Sequence, residues 1–288
     1  MKDSSSFQRS TGRTSRPKLR ARRSLSQNFL IDGAVADRIA AALPVKPTDC
    51  VYEIGAGKGF LTERLATLVG TGRVLALEKD RRLVGMLRQK FQPGGPVEVY
   101  WADILNLPPD AEPPDPCWLY GNLPFGIGHA ILEWAFARRS RFGGAVFTLQ
   151  REVVQRLLAG PGERGRAASS IWFQARARGR ALFDIPPGAF HPPPRVTSTV
   201  MSIEFVPTTP GIEHAPGIEY VVRCAFAQKR KIMANNLGAI PGLTAAGWQR
   251  IRDLCPDLLE KRAEQLHADD FARLAQLLHR PGQVFPDR

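Results

Sequence analysis

Between Val51 and Leu158, five short apolar runs (Val51–Ile54, Val74–Leu77, Val97–Trp101, Cys117–Tyr120 and Ala145–Leu149) alternate with segments of a different period. Runs of four or five apolar residues predict buried strands. The intervening segments Leu61–Val69, Leu83–Phe91, His129–Ala137 and Glu152–Leu158 carry apolar residues at helical spacing. Strands separated by helices pair most simply in parallel through right-handed crossovers, so the pattern predicts an α/β fold with a doubly wound sheet. The first run ends in a glycine-rich turn, Glu53-Ile54-Gly55-Ala56-Gly57-Lys58-Gly59. The next three end near Glu78, Asp103 and Asn122. Open α/β sheets bind ligands along the carboxyl ends of their strands, so four elements bring polar or glycine residues to one binding edge.

The chain has 288 residues, 43% of them hydrophobic. That supports one large domain and a smaller one. Asp32–Leu43 reads as a helix with Val35, Ile39, Ala42 and Leu43 on one face, and Arg195–Phe205 alternates like a late strand. A Pro/Gly-rich linker, residues 207–216, separates this body from residues 217–288, where Tyr220–Ala227, Trp248–Leu254 and Ala263–Leu278 read as helices. The expected organisation is a basic arm over 1–25, a catalytic domain over 26–206, the linker, and a small C-terminal helical domain.

The formal net charge is +13, which favours a polyanionic partner. Much of it lies at the start: Lys2, Arg9, Arg13, Arg16, Lys18, Arg20, Arg22 and Arg23 face a single acid, Asp3. This stretch is Arg- and Ser-rich with few apolar residues, and reads as a disordered basic arm, a transit peptide being the alternative. The four cysteines (Cys50, Cys117, Cys224 and Cys255) are scattered, with no ligand spacing. They read as small hydrophobes in a reducing compartment, and no metal site is expected. No apolar run approaches the ~20 residues a membrane helix needs. A cytoplasmic monomer is the expectation.

Gly55, Gly57 and Gly59 give G-x-G-x-G between strand and helix, a spacing unlike the dinucleotide fingerprint G-x-G-x-x-G. Glu78, at the end of the next strand, can accept hydrogen bonds from both ribose hydroxyls, and Asp103 can accept from an adenine amino group. A glycine turn with acids suits S-adenosylmethionine, which carries no phosphate, better than NAD. The segment Gly121-Asn122-Leu123-Pro124-Phe125 addresses a second chemical problem. An adenine amino nitrogen is a poor nucleophile because its lone pair is delocalised into the ring. The Asn122 side-chain oxygen and the Leu123 carbonyl, accepting its two hydrogens, would localise that pair. Pro124 stiffens the turn and disfavours helix at Leu123, and Phe125 can stack on the base. A base treated in this way must first leave its stack.

These motifs resemble the ribosomal RNA adenine N6,N6-dimethyltransferases, and the resemblance runs from roughly residue 24 to 279. Ser26-Gln27-Asn28-Phe29-Leu30 is similar to the segment that closes over the cofactor in that family. The resemblance implies a Rossmann-like S-adenosylmethionine-dependent methyltransferase domain, with cofactor contacts at Gln27, Asn28, Leu30, Gly55, Gly57, Glu78, Asp103 and Asn122. It implies a catalytic motif over Asn122, Leu123, Pro124 and Phe125. Phe190, in Phe190-His191-Pro192-Pro193-Pro194-Arg195-Val196-Thr197-Ser198, would cover the other face of the target base. Leu149–Gly162, Ala225–Lys231 and Arg262–Leu266 resemble the branch that acts on two adjacent adenosines of small-subunit (16S) RNA, near its 3′ end, during ribosome biogenesis. Phe125 departs from the tyrosine usual there, and Ser26 from glycine. The arginine-rich arm and Gly126-Ile127-Gly128 are similar to the macrolide-resistance enzymes that modify large-subunit (23S) RNA, which is the alternative. A non-catalytic nucleic-acid-binding factor on the same fold is a further one. The resemblance implies ribosomal RNA and the small subunit as partner. Lys229-Arg230-Lys231, Arg138, Arg139, Arg141, Arg164 and Arg166 are candidates for phosphate contact.

Overall fold

The computed structural model describes residues 28–42, 44–124, 126–206, 216–240 and 243–278. The basic arm, Gln27, Leu43, Phe125 and positions 207–215 of the expected linker lie outside the described residues. In chain order the first elements are β1 (Phe29–Leu30), α1 (Gly33–Ala40), β2 (Cys50–Ile54), α2 (Phe60–Val69), β3 (Arg73–Glu78), α3 (Arg81–Lys90), β4 (Val97–Trp101) and β5 (Cys117–Asn122). Next come α4 (Gly128–Ala137), β6 (Phe142–Gln150), α5 (Arg151–Leu158), α6 (Ala168–Gln174), β7 (Ala177–Ile185), β8 (Phe190–His191) and β9 (Ser198–Phe205). The remaining described elements are helical: α7 (Pro216–Phe226), α8 (Met233–Gly238), α9 (Ala245–Leu254), α10 (Pro256–Leu259) and α11 (Ala268–Leu278).

Seven strands form one sheet in the order β4-β3-β2-β5-β6-β9-β7. The first five are parallel; β9 and β7 run antiparallel to their neighbours. The chain moves outward from β2 to β4, then returns to lay β5 on the other side of β2. At such a switch point successive crossovers diverge and leave a crevice beyond the strand ends. Strand alternation assigns the faces. Tyr52, Ile54, Leu75, Leu77, Leu119 and Phe147 pack against Ile131, Leu132 and Ala135 of α4 and Val154 and Leu157 of α5. Val51, Val74, Ala76, Tyr120 and Val146 pack against Ala36 and Ile39 of α1, Leu61 and Leu65 of α2, and Leu87 of α3. Both faces are covered over β2, β3, β5 and β6, which is why these strands are predominantly apolar.

The helices after β9 share a separate core around Val221, Ala225, Met233, Leu237, Ile251, Phe271 and Leu274. Ile171 of α6 belongs to the same core, so α6 joins the helical unit to the sheet. No helix among the described residues is long and apolar enough to cross a membrane.

Several sequence-based expectations change. β7 and α6 were not anticipated. β7 is an edge strand whose register slips between Ala181 and Phe183, which breaks the period that would mark it. The late strand starts at Ser198, not Arg195. The continuous helix expected over Ala263–Leu278 is interrupted: a 3-10 turn over Ala263–Gln265 precedes α11, and Leu266 is extended at φ −92° and ψ 149°. Side chains hold the interruption open. Gln265 Oε1 accepts the Arg262 N–H at 2.7 Å, and Asp270 Oδ2 accepts the His267 N–H at 2.8 Å. The freed Leu266 carbonyl accepts Arg166 Nη2 at 2.6 Å. That bond also corrects the expectation that Arg166 meets phosphate. Arg166 is buried, and its Nη1 donates to the Ala159 carbonyl and to Gln174 Oε1. Arg138 is likewise engaged, bidentate with Glu112 at 3.1 and 3.0 Å.

Candidate active site

β2 runs directly into the glycine turn. Gly55, Gly57 and Gly59 hold φ of +75°, +60° and +73°, a region that side chains with a Cβ rarely adopt. The Gly55 and Ala56 N–H groups both donate to the Leu77 carbonyl at 2.9 Å, which ties the turn to β3. Gly59 caps α2, and a Cβ there would stand 2.8 Å from Leu87 Cδ2 and 2.9 Å from Phe91 Cε2. Glycine at 59 therefore lets α3 close on the turn. At Gly55 a Cβ would meet nothing within 4 Å, so there the demand is the backbone angle alone.

Glu78 ends β3 and is 7% exposed. Its Oε2 accepts the Gly57 N–H at 2.9 Å and its Oε1 accepts the Asp80 N–H at 2.8 Å. Burial raises its carboxyl above the usual range, and backbone N–H donors from Asp80 and Gly57 pull it back. Each oxygen keeps a lone pair for a ligand hydroxyl. Asp103 lies two residues beyond β4. Its Oδ1 accepts the Leu105 N–H at 3.2 Å, and Lys79 Nζ binds its Oδ2.

β5 stops at Asn122, in register with Thr148 of β6. The Leu123 N–H donates to the Thr148 carbonyl at 3.1 Å, fixing the peptide that follows Asn122. A Cβ on Gly121 would stand 2.6 Å from Leu123 Cδ2, so the glycine leaves room for the Leu123 side chain. The Pro124 carbonyl accepts the Ile127 N–H at 3.2 Å and closes the turn. Asn122 Nδ2 makes a long 3.4 Å hydrogen bond to the Asn28 carbonyl, which turns Oδ1 away from Asn28. Phe190 is buried in β8, and β8 pairs antiparallel with β1 through Leu30↔Phe190 and Phe29↔His191.

Asn28, Leu30, Gly55, Gly57, Glu78, Asp103, Asn122, Leu123, Pro124 and Phe190 all line one cavity of about 430 Å³. Every expected site residue within the described residues is thus brought together; Gln27 and Phe125 lie outside them. Sequence reasoning missed that β1 and β8 form one ribbon joining the Asn28–Leu30 segment to Phe190. It also missed Tyr120 and Ser198 as lining residues and gave Glu53 no role of its own. An acid inside the apolar run of β2 was the one available signal for Glu53.

The lining suits S-adenosylmethionine. Its acids are Glu53, Glu78 and Asp103, and the buried Tyr120 stands beside Glu53. The cavity's two lysines are held by neighbours, Lys58 over the Phe29 ring and Lys79 on Asp103. A family model described as ribosomal RNA adenine dimethylase matches residues 18–279. Ribosomal RNA small subunit methyltransferase A of Xanthomonas axonopodis pv. citri (strain 306) is 37% identical over 261 residues, covering 89% of this chain and 96% of that relative. The protein of the same name from Salinibacter ruber (strain DSM 13855 / M31) is 36% identical over 277 residues, covering 93% and 88%. Two solved structures share the fold. A dimethyladenosine transferase from Plasmodium falciparum superposes with a TM-score of 0.72 at 22% identity, covering 85% of this chain and 95% of its own. The 23S rRNA methyltransferase ErmE gives 0.66 at 24% identity, covering 87% and 99%. The sequence match spans every segment that lines the cavity, and on that ground the chain belongs to the ribosomal RNA adenine dimethylase family.

Proposed function

We propose that this enzyme dimethylates the N6 amino groups of two adjacent adenosines in a loop near the 3′ end of small-subunit ribosomal RNA, as a cytoplasmic monomer acting during ribosome biogenesis. The observation that carries the reading is the convergence of Asn122, Leu123 and Phe190 on the cavity that Glu78 and Asp103 also line. S-adenosylmethionine supplies an electrophilic methyl group. Gly55 and Gly57 bring backbone against it, Glu78 accepts from its ribose and Asp103 from its adenine; Asn28, Leu30 and Gln27 cover it. Asn122 Oδ1 and the Leu123 carbonyl accept the N6 hydrogens of the flipped base and aim its lone pair. Pro124 holds the turn, and Phe125 and Phe190 sandwich the ring. Catalysis is positioning and electrostatics.

Residues 26–206 form the catalytic domain in this reading, and 217–288 a helical RNA-binding domain joined through 207–216. The arm over 1–25 and the exposed Lys229, Arg230 and Lys231 meet phosphates. Binding to RNA is expected to weaken by about 10³-fold or more between about 50 and 200 mM salt if six or more phosphates are neutralised; a filter-binding series showing a flat response would remove these contacts from the reading. Glu78→Gln places an amide against backbone N–H groups that now meet carboxylate oxygens. Cofactor affinity measured by calorimetry is expected to fall about 10- to 100-fold, matching a lost hydrogen bond to a charged group.

The deciding assay is transfer of labelled methyl groups to unmethylated small subunits, with mass mapping of the product. Dimethyladenosine at adjacent loop positions supports the proposal. Transfer to naked large-subunit RNA alone would move the enzyme to the macrolide-resistance branch.

A further inference from the structure

On the sheet face covered by α1, α2 and α3, the apolar packing is interrupted at one place. Glu53 of β2 is 2% exposed, and its Oε2 accepts Thr62 Oγ1 of α2 at 2.6 Å. Beside it in register on β5 is Tyr120, whose buried hydroxyl makes no hydrogen bond of acceptable geometry. The hydroxyl of Thr148 on β6 is buried in the same condition. The two hydroxyls lie against each other, so with Glu53 they set a polar cluster into an otherwise apolar sheet face. Glu53 and Tyr120 line the cofactor cavity together with Asn122.

Burial pushes the Glu53 carboxyl up to about 7. The Thr62 hydroxyl draws it down, the Glu78 carboxylate of β3 pushes it up, and Lys90 of α3 draws it down. Burial and then the Glu53 charge push the Tyr120 phenol well above its ordinary range, with Thr148 opposing. Glu53 is therefore a buried acid on the cavity wall whose charge burial disfavours.

We propose that Glu53 distinguishes the cationic cofactor from its neutral product: it holds a proton before binding, ionises against the net positive charge of S-adenosylmethionine, and takes a proton back after transfer. The inference rests on the reading that the cofactor fills this cavity. The charges balance without any further reactant. On binding, Glu53 releases one proton to solvent. On transfer, the adenine nitrogen forms its bond to the methyl carbon, the broken C–S bond leaves its electron pair on sulfur, and the nitrogen sheds one proton. With the sulfonium charge gone, the Glu53 carboxylate is again destabilised by burial and binds a proton. The resulting loss of attraction favours release of S-adenosylhomocysteine.

The sign of the pH dependence follows from linkage. Cofactor binding lowers the proton affinity of Glu53, so cofactor affinity rises with pH and levels off above the range in which the unliganded acid titrates. S-adenosylhomocysteine lacks the sulfonium charge and gains less. Calorimetry on the full chain, with each ligand in two buffers of different protonation enthalpy, reads both effects. The ratio of S-adenosylmethionine to S-adenosylhomocysteine affinity is expected to rise about fivefold or more between about pH 5.5 and 7.5, with more protons released by the former. Glu53→Gln keeps the size of the side chain and is expected to flatten both curves. Thr62→Val keeps the acid but removes the hydroxyl that donates to its Oε2, and is expected to shift the midpoint upward. The wild-type and Thr62→Val measurements decide the matter even where Glu53→Gln does not fold. A wild-type ratio independent of pH, or an equal pH dependence in folded Glu53→Gln, overturns the proposal. Failure of both ligands to bind at any pH overturns the cavity assignment, and the proposal with it.

Discussion

Asn122→Ala is expected to slow methyl transfer by about 10²- to 10³-fold, the usual consequence of removing one preorganised polar group from a transition-state site. The alanine keeps β5 and the Leu123 N–H bond to the Thr148 carbonyl, so the turn stays in place while the acceptor proposed for the N6 hydrogen disappears. Without it the adenine lone pair remains delocalised. The variant also loses the 3.4 Å bond from Asn122 to the Asn28 carbonyl, which anchors the β1 segment over the cavity. A net hydrogen bond is worth about 0.5–1.5 kcal/mol, so cofactor affinity should fall only a few-fold. Single-turnover rates at saturating RNA and cofactor, set beside cofactor binding by calorimetry, separate the two effects. A rate within about tenfold of wild type would take Asn122 out of the chemical step.

The second large effect is on stability. Arg166 joins three segments: the Ala159 carbonyl after α5, Gln174 of α6, and the Leu266 carbonyl in the break before α11. Its Nε has no partner, so the guanidinium is held through Nη1 and Nη2 alone. Arg166→Ala would leave the Leu266 carbonyl without this donor at a helix break and empty the volume of a long buried side chain. The expected loss is about 3 kcal/mol, as for other buried charged hydrogen-bonding groups deprived of a partner. For a chain of this size that lowers Tm by about 5–10 °C. Arg166→Lys should recover little of it, because one ammonium cannot reproduce the planar fork. Differential scanning calorimetry checks the figure. A shift under about 2 °C would mean the tie to Leu266 contributes little.

What could be read in advance follows from the range over which each signal acts. The five parallel strands were legible because burial leaves short, predominantly apolar runs, and β2 to β6 appear where those runs lie. The glycine turn and the strand-end placement of Glu78 and Asn122 were legible for a related reason: backbone angles and strand ends are local properties. β7 was not legible, since an edge strand carrying Arg178 and Arg180 with a slipped register shows no clean period. β1 and β8 have two residues each, too few for any pattern, and exist only because each is the other's partner.

The same division holds for the site. The chain's own residues determined the α/β class, the binding edge and the chemistry available along it, because composition and periodicity act within a few residues. Only the tertiary structure decided that Phe190 would reach Asn122's cavity by pairing with Leu30. It alone buried Arg166, which reads as one more surface cation in a basic chain, against a carbonyl 100 positions away. It also set Glu53 beside Tyr120 and buried it against α2, where Thr62 donates to its carboxyl. Burial and partnership between distant segments have no local signature, because they arise from desolvation and pairing that exist only once the chain has closed on itself.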